Sequence, residues 1–300
     1  MFRKIIRYTR DPYYAIGNDL INRHPQLMSD KWYIKIQWLN ECGYKLDLKK
    51  PQTFNEKIQW LKLYDRNPLY TTLVDKYRVK AWVADRIGSE HIVPILATYE
   101  SVDDINLDTL PNQFVLKCNH DSGGVAVCRN RDSFDWTAAK TLLTSHLEKN
   151  HYNYAKEWAY KNVKPLVFAE KYIEDSSGED ALMDYKWFCF NGVPQIMYMC
   201  RERGGHPSTA FFDMEYKHLP FTMANPIAKE LPPKPAEFDS MRNFASILSK
   251  DIPHVRVDFY VVNGQIYFGE MTFYDSAGYG PFNPPEWNRT IGDMLHLPTK

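Results

Sequence analysis

Two Asn-Gly dipeptides constrain the fold of this 300-residue chain more than any other feature. Asn191-Gly192 and Asn263-Gly264 each sit inside a β-rich run, residues 186–199 and 255–273. Such a dipeptide takes the left-handed conformations that a tight hairpin needs, so each run is expected to fold back on itself as antiparallel strands. A helix over residues 238–249 separates the two. Shorter β-rich runs precede them at 92–99, 114–119, 125–129 and 166–173, interrupted by a helix over 136–147. The order is mixed rather than a strict βαβα alternation, which argues against a doubly wound parallel sheet and predicts α+β lobes.

The first ninety residues read as helices. Ser29 is placed to cap a helix running through Trp32, Ile36 and Trp38 to a stop at Gly43. Thr53-Phe-Asn-Glu56 fits a capping box ahead of Ile58, Leu61 and Leu63. A third helix is expected to contain Val74, Tyr77, Val79, Trp82 and Ile87, ending at Gly88. The chain thus divides into a mainly helical region (1–91), a first lobe (92–173) and a second lobe (174–300).

Charge narrows the function classes. Lys plus Arg number 37 and Asp plus Glu number 37, so no global field draws in nucleic acid, and no nucleic-acid partner is expected. The five cysteines are odd in number and form no C-x-x-C pair. That pattern favours free thiols in a reducing compartment, hence a cytoplasmic protein. No apolar run approaches the roughly 18 residues of a membrane span, and no signal-peptide core follows the start. The opening ten residues carry Arg3, Lys4, Arg7 and Arg10 among Phe2, Ile5, Ile6 and Tyr8. They suit a terminal helix packed on the body, with a peripheral membrane contact as the alternative.

Chemistry concentrates in three places. In the last hairpin, Val255, Val257, Phe259 and Val261 alternate with Arg256, Asp258 and Tyr260, and Glu270 and Thr272 lie on the return strand. A two-residue turn would pair Asp258 with Gly269 and send Glu270 to the opposite face. A three-residue loop, Val262 to Gly264 with Gly264 left-handed, changes the parity and gathers Arg256, Asp258, Glu270 and Thr272 on one face. That loop is the expectation, although it turns Ile266 and Phe268 to the same face. Carboxylates so gathered repel unless something positive lies between them, and magnesium with nucleotide phosphates meets that need. On the hairpin alone, a solvated face with scattered charges is the commoner reading.

The second place is Lys117, in an otherwise apolar strand, followed at once by Ser122-Gly123-Gly124. Glycines admit a phosphate close to the backbone, and a strand lysine supplies it a point charge. An edge-strand gatekeeper lysine gives the same pattern. His120 reads as a loop residue. The third place is Glu170-Lys171-Tyr172-Ile173, at the end of an apolar strand. Backbone groups there can pair with an adenine edge while Tyr172 and Ile173 shield the ring; a strand end dipping into solvent is the plainer alternative.

In this order the three pieces resemble the ATP-grasp superfamily over roughly residues 92–280. Asp75-Lys76-Tyr-Arg78-Val79, Phe114-Val-Leu-Lys-Cys-Asn-His120, Asp184-Tyr-Lys186-Trp-Phe-Cys-Phe-Asn-Gly192 and Pro51-Gln-Thr-Phe-Asn-Glu-Lys57 are similar to its TupA-like branch, over nearly the whole chain. That branch is associated with teichuronopeptide and capsular polysaccharide synthesis in bacteria. The resemblance implies an ATP-grasp fold of two α+β lobes clamping ATP and magnesium. It implies nucleotide contacts from Lys117, Ser122, Gly123, Gly124, Glu170, Lys171, Tyr172, Ile173 and Asp184, and metal ligation by Asp258, Glu270 and Thr272. Arg256, Lys186, Arg201 and Arg203 would face the charge of the departing γ-phosphoryl group. Thr272 departs from the Asn usual in the superfamily and is a poorer ligand; Asp275 is placed to assist. The helical N-terminal part also looks short for the α/β domain that precedes many ATP-grasp modules.

The activity so implied is ATP-dependent joining of a carboxylate to an amine through an acyl phosphate. The substrates would be a uronic-acid-containing glycan or precursor and an amino acid or amine. Residues 201–208, with Gly204 and Gly205, are a candidate mobile loop. The aromatic tail 273–288 suits either an acceptor pocket or a packed C-terminal loop. A sugar kinase or glycosyltransferase of the same pathway is the alternative enzyme, though only Asp258-Phe-Tyr stands where a D-x-D motif would be expected. A non-catalytic nucleotide-binding scaffold is the third reading, against which the intact Lys117, Asp258 and Glu270 argue.

Overall fold

The computed structural model describes residues 12–175, 182–203, 206–223, 225–228 and 230–299. Among the described residues five α-helices come first: α1 (Pro12–Arg23), α2 (Asp30–Cys42), α3 (Phe54–Tyr64), α4 (Leu69–Val74) and α5 (Arg78–Ile87). Ser29 caps α2 through the Trp32 amide, and left-handed Gly43 ends it. Thr53 and Glu56 make both bonds of the capping box on α3; a cap of this kind stabilises by about 1 kcal/mol. The expected third helix is instead broken in two. Asp75 leaves helical geometry, and its carboxylate accepts from the amides of Tyr77 and Arg78, so a short acidic side chain competes locally with the continuing helix. Gly88, at φ 105°, ends α5.

A four-stranded antiparallel sheet follows, in the order β1 (Ile95–Tyr99), β4 (Val167–Lys171), β2 (Phe114–Cys118), β3 (Val125–Cys128). One face packs Phe114, Leu116, Ala126, Val167 and Ala169 against α6 (Trp136–Leu147), through Ala139 and Leu143. The short helix α7 (Tyr152–Ala155) then leads towards β4.

The second sheet has six strands, in the order β11 (Gln265–Thr272), β10 (His254–Val262), β5 (Asp184–Phe190), β6 (Val193–Arg203), β7 (His206–Phe212), β8 (His218–Leu219). β9 (Thr222–Met223) pairs with β12 (Phe282–Asn283), and α8 (Phe238–Ser249) and α9 (Trp287–Met294) complete the chain. The amphipathic α8 buries Phe238, Met241, Ala245 and Leu248 in the larger core, with Val255, Val257 and Phe259 of β10. On the opposite face α3 covers the far end of the sheet: the Phe54 ring meets Phe188, Phe190 and His254 edge-on at 5.9, 6.2 and 5.1 Å. The middle of that face is left to polar side chains.

One expectation is corrected here, and one that stood open is decided. The residues read as a mobile loop at 201–208 are mostly paired strand, Arg201 opposite Ser208 and Glu202 opposite Pro207; Gly204 and Gly205 lie outside the described residues. The tail rings fill the core. Phe273 lies 4.4 Å from Tyr70 and Trp287 stacks on Phe221 at 4.5 Å, while Tyr274 and Phe282 are buried. That packing favours the packed loop over an acceptor pocket. The basic opening residues lie outside the described residues. Among those described, no helix is long and apolar enough to cross a membrane, and the five cysteines are free thiols.

Candidate active site

The last hairpin reaches its shared face by a route other than the expected one. Val262 pairs with Gln265, so the turn has two residues, Asn263 at φ 52° and Gly264 at φ 78°. The three-residue loop is therefore overturned. Parity changes further along instead: Phe259 pairs with Phe268 but Val257 pairs with Met271. Gly269 and Glu270 together oppose Asp258, a β-bulge that turns Glu270 back to the Asp258 face. Ile266 and Phe268 precede the bulge and stay on the core side with Phe259, so the expected crowding of the carboxylate face does not arise. Gly269 suits this place, because a Cβ there would lie 3.0 Å from the Tyr260 ring and 3.1 Å from the Asp258 carbonyl oxygen.

The face so formed is an ionic network. Arg256 donates from Nε and Nη2 to the two oxygens of Asp258, both at 2.7 Å. It also reaches Glu270 at 3.2 Å and Asp275 through Nη1. Lys186, opposite Asp258 on β5, donates to it at 2.6 Å and lies 3.3 Å from Asp184. The Thr272 hydroxyl donates to Glu270 at 3.4 Å. Burial alone would raise the Glu270 pKa, but Lys76, Arg256 and Lys186 hold it down at about 2. Burial would likewise discharge Lys186, yet Asp258 keeps its pKa raised.

The opposing wall comes from the four-stranded sheet. Lys117 sits on an interior strand, between β4 and β3, so it is not an edge gatekeeper. Val115, Val125, Val127 and Glu170 share its side of the sheet. Glu170 was expected to contact adenine. Its carboxylate instead turns inward, 2.7 Å from Lys117 and 2.5 Å from Lys80. The Tyr172 and Ile173 main chain does remain open: neither has a main-chain hydrogen-bond partner among the described residues.

After β2 the chain turns through Ser122, Gly123 (φ 96°) and Gly124, closed by the Cys118 amide donating to the Gly124 carbonyl at 2.8 Å. A Cβ on Gly124 would lie 2.9 Å from Asp121 Oδ1. His120 is a buried structural residue whose Nε2 lies against the carbonyls of His146 and Lys149. Asp121 itself is held by His146 Nδ1.

Between the walls lies a cleft of about 380 Å³. Apolar Val93, Val115, Val125, Val127 and Val262, with Tyr172, Tyr260 and Tyr267, give it flat shielding surfaces, and Lys117 and Lys171 give it charge. Lys76 joins the walls: its ammonium donates to the Asp121 carbonyl at 2.7 Å and lies 3.3 Å from Glu270. Sequence reasoning gave Lys76 no role. Its only signal was the Asp75-Lys76 pair, where a helix-breaking carboxylate precedes a lysine. Asp184 does not line the cleft's apolar part but pairs with Lys186 beside Tyr260. Arg201 and Arg203 end β6, with side chains outside what the structure describes.

The donor set suits a magnesium ion only in part by itself. The positive group standing between Asp258 and Glu270 is Arg256, not a metal. No three His, Cys, Asp or Glu side chains among the described residues gather into a metal site. Two carboxylates and a hydroxyl are nevertheless hard oxygen donors, and magnesium takes one or two carboxylates and completes its shell from phosphate and water. Glu270, with its side chain 33% exposed, is the accessible member, while Asp258 is 1% exposed.

A family model described as TupA-like ATPgrasp matches residues 56–296. Among solved structures, the chain is similar to a D-alanine–D-alanine ligase from Bacillus anthracis complexed with ATP, at 17% identity and TM-score 0.39, covering 67% of this chain and 54% of that one. It is also similar to a D-alanine–D-alanine ligase from Helicobacter pylori, at 14% identity and TM-score 0.40, covering 81% and 69%. An ADP complex of N5-carboxyaminoimidazole ribonucleotide synthetase matches at 10% identity and TM-score 0.44, covering 73% and 50%. This chain thus spans about half the length of the first of these ligases and of the synthetase. No curated protein matches.

Proposed function

The chain belongs to the TupA-like ATP-grasp family, and from that premise we propose that it is an ATP-dependent carboxylate–amine ligase working through an acyl phosphate. The observation that carries this reading is the Lys76 ammonium, in contact with both the Gly-rich loop and Glu270. It brings a phosphate-type loop and a carboxylate face to opposite sides of one charge. Tyr172, Tyr260 and the valines cover the base, and the open main chain at Tyr172 and Ile173 pairs with its edge. Ser122, Gly123 and Gly124 fold over the phosphates, with Lys76, Lys117 and Lys171 neutralising them. Asp258, Glu270 and Thr272 would hold magnesium, which would bridge to the phosphates as a hard cation.

ATP, when bound, supplies the phosphoryl group that activates the carboxylate. Phosphoryl transfer asks for positioning and charge stabilisation, so no nucleophilic side chain is needed. Arg256 and Lys186 face the developing charge, and the same role is proposed for Arg201 and Arg203. The substrates in this reading are a uronic-acid-containing bacterial surface polysaccharide or its precursor and an amino acid or amine. The reaction in this reading belongs in the cytoplasm.

The test is ADP release, with magnesium, from uronic acids or uronate glycans paired with amino acids. Acceptor-dependent ADP together with a new amide by mass spectrometry is the expected result. Phosphorylated sugar without amide replaces the ligase with a kinase. Glu270→Gln is expected to keep the fold and lower turnover by on the order of a hundredfold or more, because metal stabilisation of the transferring group is worth several kcal/mol. Undiminished activity in that variant would remove Glu270 from the metal site.

A further inference from the structure

The Lys80–Glu170–Lys117 group is more than a pair with a spare cation. Its central carboxylate is almost wholly buried, its side chain 4% exposed. Each oxygen has its own lysine, Lys80 on Oε1 at 2.5 Å and Lys117 on Oε2 at 2.7 Å. The two lysines are not equivalent. Lys117 is 28% exposed and lines the cleft. Lys80 comes from α5, is 6% exposed, and lies 3.4 Å from the Val93 carbonyl oxygen and 6.0 Å from the Phe168 ring centroid. It reaches Glu170 from the protein side.

A buried carboxylate facing a single lysine would cancel that lysine's charge and hold it in a neutral pair. With the second lysine behind it, the group keeps one net positive charge, and the exposed member of the group carries it into the cleft. Glu170 then orients Lys117 without consuming its charge. The surroundings agree: burial would raise the Glu170 pKa, but Lys117 and Lys80 together hold it low. We infer that Lys80 is a positioning residue for nucleotide binding, neutralising Glu170 so that the Lys117 charge is available to an ATP phosphate. The inference rests on the cleft being the nucleotide site.

The experiment is titration calorimetry of the full-length chain with magnesium and ATP, which needs no acceptor. Lys80→Met is expected to weaken ATP binding by about tenfold or more, the order expected when one partner of a buried charge group is removed. Lys80→Arg, which keeps the charge, should bind within a few-fold of wild type. Lys80→Met combined with Glu170→Gln should recover most of the loss, because no uncompensated carboxylate remains to neutralise Lys117. A purely structural lysine would show no such recovery, and a folded double variant as weak as Lys80→Met overturns the inference. Wild-type affinity in Lys80→Met overturns it as well. Absence of ATP binding by the wild-type protein would instead remove the nucleotide reading, and the inference with it.

Discussion

The two walls of the cleft solve one problem with opposite signs. On the four-stranded sheet, one buried carboxylate, Glu170, answers two lysines. On the six-stranded sheet, Asp184, Asp258, Glu270 and Asp275 gather around Arg256 and Lys186. The first wall therefore offers net positive charge and the second net negative charge. A nucleotide with its cation needs both, with phosphates against the lysines and metal against the carboxylates. In each wall burial is tolerated because charge answers charge. The Arg256 pKa stays well above its ordinary value despite burial, held there by Asp258, Tyr198 and Asp275.

Removing the central carboxylate of each wall tests this contrast most severely. Asp258→Ala leaves Arg256 and Lys186 without their shared partner, deep in the sheet. Breaking a buried group of this kind costs about 3–5 kcal/mol. Glu170→Ala strands only Lys80, since Lys117 can turn to solvent, and should cost less. Urea midpoints of the two variants measure the difference. If Glu170→Ala proves the more damaging, the second wall is not the more tightly coupled one.

Much of this architecture was legible in the chain. Period-two alternation and Asn-Gly turns located the long strands, and residues 136–147 and 238–249 read as helices are α6 and α8. Lys117, Asp258, Glu270 and Arg256 were singled out; Lys117 lines the cleft, and Arg256 pairs with both Asp258 and Glu270. Three things were not legible. The helix break at Asp75 depends on one carboxylate finding two amides, which helical periodicity does not register. Lys76 and Lys80 acquire their places only when distant segments meet, Lys76 at Glu270 and Lys80 at Glu170. The inward turn of Glu170 depends on Lys80, ninety residues earlier in the chain.

Behind the second wall the comparison can be sharpened with a charge answered differently. Lys62, on α3, is fully buried, and among the described residues its ammonium donates to the carbonyls of Ala155 and Ala277, at 3.0 and 2.7 Å. Carbonyl dipoles stand where a paired carboxylate would, and burial brings its pKa down to about 8, with the Glu157 charge opposing the fall. The ordinary value is 10.5. Between these two pH values the unfolded chain binds the proton and the folded one does not. Stability from this residue therefore rises with pH from about 8 to 10.5, by at most about 1.4 kcal/mol per pH unit. Lys62→Met should lack that rise. Thermal denaturation across the interval reads it, and an identical slope in the variant would show that a counter-ion, not carbonyl dipoles, holds Lys62.

The smallest expected change in stability tests what aligns the second wall. The bulge at Gly269 and Glu270, not the turn, places Glu270 beside Asp258. Turn chemistry is written in adjacent residues, whereas this bulge depends on a glycine whose missing side chain makes room for the neighbouring strand. In Gly269→Ala the new methyl meets the Tyr260 ring at 3.0 Å and the Asp258 carbonyl oxygen at 3.1 Å. The ring can give by a few tenths of an ångström, but the backbone oxygen belongs to the strand that carries Asp258. Stability should fall by only about 1–2 kcal/mol, the range for overpacking by one carbon. Turnover should fall by more than that destabilisation explains, because the strand has to move where Asp258 and Glu270 share Arg256. Gly264→Ala is the control: it strains a left-handed turn residue at φ 78°, costing about 1–2 kcal/mol, yet lies far along the hairpin from both carboxylates. Equal losses of turnover in the two variants would mean that general hairpin stability, rather than the bulge, sets the geometry of the carboxylate face.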